Sequence, residues 1–139
     1  MSAVAEQKTT IPQIGQPWPE QGGVYVGSRL KKGDVHHLII PGGTDFDLEA
    51  SHNNAAERIA AKGEINGFSD WHHGEQEDLM LAYINVRDQF HRKGIMSIQI
   101  TATPYGSGRA WSVNFEYGTV YVSFRGNEFR VRPFRRFTY

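Results

Sequence analysis

A chain of 139 residues with 39% hydrophobic content is long enough to fill one core, which argues against wholesale disorder and against several domains. Fifteen basic and fifteen acidic residues cancel to a formal charge of zero, so this is not a basic protein. The lack of cysteine excludes disulfides, a thiol nucleophile and a thiolate metal site.

Residues 1–10 are polar and expected to form a flexible N-terminus, with a single domain over 11–139. Pro12, Pro17 and Pro19 keep the next stretch extended, and Gly22-Gly23 turns it. VYVGSRL and HHLIIP flank Lys31-Lys32-Gly33-Asp34. β-branched and aromatic residues on both sides of a polar, Gly-containing turn predict an N-terminal hairpin. A run over Asn53–Lys62 places Ala55, Ala56, Ile59 and Ala60 on one narrow helical face, and Gly63 closes it. Glu64–Gly74 is a loop with an Asn66-Gly67 turn. A second helix is predicted over Glu75–Phe90. Glu75, Glu77 and Asp78 complement its dipole, Leu79, Met80, Tyr83, Ile84, Val86 and Phe90 form its apolar face, and Gly94 stops the segment.

The C-terminal third reads as an antiparallel meander. In RAWSVNFE, Trp111, Val113 and Phe115 alternate with Ser112, Asn114 and Glu116. After a Tyr117-Gly118 turn, Val120, Val122 and Phe124 alternate with Thr119, Tyr121 and Ser123. Arg125-Gly126-Asn127 is a second turn, and a third strand is expected over Glu128–Phe137. Strands, two helices, then strands define an α+β domain. The apolar set should pack inward. The other set, rich in Tyr, Ser and Asn, has the chemistry of a binding surface, rigid amphipathic rings beside small hydrogen-bonding groups.

Other chemistries have thinner support. Asp45, Asp47 and Glu49 alternate in a loop but lack the calcium-loop spacing. His36 and His37 should point to opposite sides of a strand. His72 and His73 stand beside Asp70 at the mouth of the second helix, a zinc or acid–base possibility without HExxH or Ser-His-Asp spacing. Asp70 is expected to bond backbone donors there. From Arg109 onward six arginines face two glutamates, a net of +4. Arg130, Arg132, Arg135 and Arg136 among aromatics allow nucleic-acid binding by charge and stacking. The favoured reading is structural, with pairing to Glu75, Glu77, Asp78 or Glu116. No metal, cofactor, nucleic acid or catalytic residue is therefore expected. The first 20 residues lack an apolar core of the secretory type, and no run of about 18 apolar residues occurs. A protein cytoplasmic when made, without membrane insertion, is the expectation.

GFSDWHHGEQEDLM, TPYGSGRAWSVNFEYG and RVRPFRRF, in this order, resemble the Lcl C-terminal domain family, over roughly residues 15–137. The matching positions are Gly67 to Trp71, Thr103, Ala110-Trp111, Phe115, Gly118 and Arg130 to Pro133. His72-His73-Gly74-Glu75 replaces the family's usual Arg-Leu-Pro-Thr, and Ile100 replaces a usual Trp. The resemblance implies a C-type-lectin-like fold related to formylglycine-generating enzymes. The active-site cysteines of those enzymes and the calcium motifs of sugar-binding lectins are missing. The chain is also similar to phage-associated variable proteins of diversity-generating retroelements, whose outward residues change on a fixed frame. That similarity implies a ligand-binding surface at Gln99, Arg109, Ser112, Asn114, Tyr117, Thr119, Tyr121, Ser123, Asn127 and Phe129. It implies a protein or glycan partner on a host-cell surface, or phage tail proteins, and a virion-associated location. The alternative is an assembly protein of a tail or particle that uses the same face to form a homo-oligomer.

Overall fold

The computed structural model describes residues 10–138, so the expectation for the N-terminal segment lies, apart from Thr10, outside the described residues. The chain forms a mixed α+β architecture, mostly β, with two five-stranded sheets and two α-helices among the described residues. The predicted hairpin is β2 (Gly23–Lys31) and β3 (Asp34–Ile40), with β1 (Pro17–Trp18) added to its outer edge. A short β4 (Leu48–Ala50) precedes α1 (Ala55–Ala61), and β5 (His72–His73) precedes α2 (Gln76–Val86). Then come β6 (Ile98–Tyr105), β7 (Arg109–Asn114), β8 (Val120–Phe124), β9 (Phe129–Val131) and β10 (Pro133–Phe137).

One sheet runs β1-β2-β3-β10-β5 and the other β4-β9-β6-β7-β8. The antiparallel meander that forms is β6-β7-β8 and not the expected one: β8 is the sheet edge, and the third strand expected over Glu128–Phe137 is two strands in two sheets. β9 pairs β4 and lies parallel to β6, whereas β10 pairs β3 and β5. The switch falls at Arg132. Its N–H bonds the Gln99 side chain at 2.8 Å instead of a neighbouring strand, and Pro133 after it has no N–H to offer. The C-terminus thereby closes onto the N-terminal hairpin, with Arg135 opposite Ile39.

Both helices are shorter than their sequence patterns. α2 stops at Val86, and a 3-10 turn over Arg87–Gln89 carries the chain to buried Phe90. Its N-terminus is fixed by a reciprocal capping box between Glu75 and Asp78. Leu79, Ala82 and Val86 bury against Val26, Leu38, Val113, Phe115 and Phe134. Met80 and Ile84, expected on that face, are exposed. At 100° per residue they fall on the far side of the helix from the stripe made by 79, 82 and 86. α2 approaches β2 at Gly27, where the strand bulges and the Asn85 side chain bonds the Val26 carbonyl at 2.9 Å. The second core joins Trp18, Tyr25, Ile39, Ala55, Ile59, Trp71, Ile100, Ala110 and Val131 under α1.

Gly118 stands where the Tyr117-Gly118 turn was expected, with φ +76°, and a Cβ there would meet the Tyr83 ring at 2.6–2.8 Å. Gly118→Ala is therefore expected to lose about 1–2 kcal/mol from backbone strain and crowding, read as a lowered thermal midpoint. A variant as stable as the parent would show that the turn relaxes freely.

Candidate functional site

Register decides which side chains of the meander share a face, because directly opposed residues project together. Tyr105 opposes Arg109, and Arg109 opposes Phe124; Trp111 opposes Val122; Gln99 opposes Val113, and Val113 opposes Val120. These three rows lie on one face. The Val113 row is buried under α2. The Trp111 row is half-buried, and the outermost row is open, with Tyr105 48% and Phe124 58% exposed. The Arg109 guanidinium lies 4.5 Å over the Phe124 ring, and Tyr105 meets Trp111 edge-on at 5.1 Å. The hairpin carrying Tyr105 and Arg109 is tied down by Arg125, which donates to the Arg109 carbonyl at 2.9 Å and to the Gly106 carbonyl at 2.5 Å.

The opposite face presents Ala110 with Ser123, and Ile100 with Ser112 and Tyr121. It is solvated only in part: Ile100, Ala110 and Ser112 are buried, while Tyr121 is exposed. Ile100 and Ala110 belong to the core under α1, and the turn before α1 lies over the end of β8, with the Asn53 N–H bonding the Arg125 carbonyl at 3.2 Å.

The ten residues implied as a ligand surface therefore do not form one patch. Gln99 and Ser112 are 1% and 2% exposed and out of a ligand's reach. Gln99 instead bonds Asp47 at 3.1 Å and receives the Arg132 N–H. Asn114 is half-buried, and its Oδ1 accepts the N–H groups of Glu116 and Tyr117, so it shapes the turn. Phe129 is packed against the core under α1. Tyr117, Thr119, Tyr121 and Asn127 are exposed, Ser123 is half-buried, and Arg109 is exposed on the face opposite Tyr121. The alternation of Trp111, Val122 and Phe124 reads inward along the whole strand. α2 covers only the Val113 and Val120 end, so the Phe124 end opens to solvent. The signal that could have found this is parity: Arg109 and Tyr105 share the phase of Trp111 through the hairpin.

The C-terminal arginines are structural in part, but with other partners than expected. Arg132 pairs with Asp47 at 2.8 Å, Arg130 with Glu49 at 3.1 Å, and Arg135 with Asp70 at 2.5 Å. Asp70 thus answers Arg135 and not the helix mouth, and that hydrogen bond holds its carboxyl below the usual carboxylate value. Arg135 also covers the Phe68 ring at 3.7 Å. Asp47, a cation candidate in the sequence, is committed to Arg132. No group of three or more His, Asp or Glu with metal-holding geometry occurs among the described residues. His73 donates its Nε2–H to the Ile100 carbonyl at 2.8 Å, and burial lowers its pKa to about 4. A further cluster had no sequence signal. The Ser28 hydroxyl meets His37 Nδ1 and Tyr25 OH, each at 2.5 Å, bracing the hairpin beside Trp18.

Compared with protein-family models, the chain matches none, and a search of curated proteins finds no match for it. The structure defines a mixed α+β protein with an aromatic, arginine-bearing row on one open sheet face. None of its helices among the described residues is long and apolar enough to cross a membrane.

Proposed function

We propose that this chain is a non-catalytic ligand-binding module of C-type-lectin-like fold, which presents the open end of β6-β7-β8 to a protein or glycan on a host-cell surface. The observation that carries this reading is the Tyr105–Arg109–Phe124 row, backed by Trp111 and Val122. Exposed aromatic rings around a guanidinium, on a strand frame whose other end is buried, are the residue types that dominate binding energy at interfaces. In keeping with the resemblance to retroelement-diversified variable proteins of phages, ligand choice would be set by Arg109, Tyr117, Thr119 and Asn127, with Tyr121 on the opposite face outside the surface. In sibling copies of the locus, variation would reach these positions and spare Gln99 and Ser112, whose burial ties them to the core.

The test is binding of labelled protein to a glycan panel and to intact bacterial cells. Tyr105→Ala with Phe124→Ala should weaken every captured interaction about thirtyfold or more while the thermal midpoint stays near the parent's. Tyr121→Ala, on the other face, separates the two surfaces. Undiminished capture by the Tyr105/Phe124 double variant would overturn the reading.

A second reading rests on β8 itself. It is an edge strand, and VYVSF holds no Lys, no Pro and no bulge to protect its free side. In an assembly protein of a tail or particle that edge would pair with another copy. Light scattering after size exclusion would then give a multimer that a Val122→Lys variant dissolves.

A further inference from the structure

A second feature lies at the far side of α2, distinct from the meander. Arg29 opposes His36, Leu38 opposes Arg136, and Phe134 opposes His72. These pairs share the sheet face on which α2 rests, because Leu38 and Phe134 pack into the core with Leu79. α2 begins part-way along that face. The uncovered part is a cleft of about 250 Å³, floored by Leu38 and Ala102 and walled by charged and imidazole side chains.

The charges in the cleft divide into two groups. Arg29 is held by Glu75 at 2.6 Å and Asp78 at 2.7 Å, and Lys31 by Glu75 at 2.6 Å. The Arg136 side chain and the rings of His36 and His72 have no hydrogen bond or ion pair among the described residues, yet they converge on the same space. With the imidazoles neutral, Arg29, Lys31 and Arg136 outweigh Glu75 and Asp78 by one positive charge. The start of α2 is not the anion holder. The Glu75 N–H is taken by Asp78 and the Gln76 N–H by the Thr103 hydroxyl, each at 2.8 Å.

We propose that this cleft is a second binding site, independent of the meander surface, for a small molecule carrying one compact oxyanion, a phosphate or a carboxylate. The Arg136 fork takes two of its oxygens, and His36 and His72 donate to it. Glu75, at the rim, receives a hydroxyl or ammonium of the same molecule. The volume lies just below the range typical of pockets for drug-sized ligands, which suits a small molecule. Burial holds the His72 pKa below its ordinary value, with Arg136 and Lys31 pushing the same way and Asp78 opposing. An anion among these groups adds the missing opposite charge, so binding takes up a proton and tightens as pH falls. The groups facing it are Arg29, Lys31, His36, His72, His73, Glu75, Asp78 and Arg136.

The experiment is amide NMR titration of the full chain with sulfate, inorganic phosphate and acetate. Sulfate keeps its charge between pH 5.5 and 8, so any pH dependence belongs to the protein. Saturable shifts at His36, His72 and Arg136 are expected for sulfate and for at least one of the other two. The preference between phosphate and acetate names the head group. Sulfate should bind several-fold tighter at pH 5.5 than at pH 8, and Arg136→Gln should weaken it about tenfold. Arg136 is exposed, so that variant keeps the fold, which its amide spectrum checks directly. Arg109→Ala should bind sulfate like the parent. No saturable shift by about 50 mM sulfate at pH 5.5, or unchanged affinity in Arg136→Gln, or loss in Arg109→Ala, overturns the proposal.

Discussion

Arg132→Ala is expected to destabilise the fold by about 3–5 kcal/mol, because it leaves one half of a buried ion pair behind. The side chain is fully buried, and its carboxylate partner Asp47 is nearly so. Every guanidinium nitrogen is used: Nε on Asp47 at 2.8 Å, Nη1 on the Gly42 carbonyl at 2.7 Å, and Nη2 on the Gln89 carbonyl at 2.9 Å. The Phe90 ring lies beneath it at 4.1 Å. Gln99 joins the same network through Asp47 and the Arg132 N–H. Truncation leaves a buried carboxylate without its cation and two carbonyls without donors, in a place water reaches poorly. It also frees the point where the chain passes from one sheet to the other. The measurement is the urea midpoint at neutral pH. Asp47→Ala should cost a similar amount, and the double variant less than the sum, since one network is broken once. A loss under about 1 kcal/mol for Arg132→Ala would show that the crossover is held by other contacts.

Acidification should destabilise the protein in two separate steps. His73 is the clearest contributor to the first. Its folded pKa of about 4 lies below the ordinary 6.5, so between those values the unfolded chain holds a proton that the folded chain excludes. Stability is therefore full above about pH 6.5, falls as pH drops toward 4, and levels below it. A shift of this size corresponds to roughly 3 kcal/mol. Burial lowers His72 and His37 in the same direction, adding to the slope. The second step involves Glu75 and Asp70, lowered by hydrogen bonds from Lys31 and Arg135 respectively. Their stabilisation is present above the ordinary values of 4.5 and 3.8 and is lost as pH falls through the folded ones. Both carboxylates are more than a third exposed, so solvent screening keeps this step small. His73→Gln retains a donor for the Ile100 carbonyl and removes the titration. Thermal midpoints from pH 7 to pH 4 should fall less steeply in that variant. Parallel curves for parent and variant would remove His73 from the explanation.

Neither site could be read from the chain alone. Arg132 stands in an Arg-Val-Arg-Pro run that suggests a continuous strand, and Asp47 lies 85 positions earlier in a loop with the look of a cation site. No local pattern links them. His73 was legible as a polar residue at a helix mouth, but its depressed pKa comes from burial against β6, which a separate part of the chain supplies. The cleft has the same origin. Arg29, His36, Arg136 and His72 come from four strands, and only their pairing registers place them on one face.

Some features were readable because their causes are local. β-branched and aromatic residues around a polar turn marked β2 and β3, alternation of period two marked β7 and β8, the 3.6-residue stripe marked both helices, and Gly118 and Gly126 marked turns. Steric and hydrogen-bonding preferences over a few residues fix these elements wherever they are placed. Which face of a strand meets solvent is another matter, since it depends on what is laid over it. α2 reaches Val113 but leaves Phe124 open, and the turn before α1 helps to close the face that holds Ser112. The segments, the hairpin, the α+β class and the pairing of β7 with β8 were thus written in the chain's local patterns. The open face, the split of the last strand and the partner of each arginine came only with assembly, because burial and ion pairing are properties of elements brought together from distant parts of the chain.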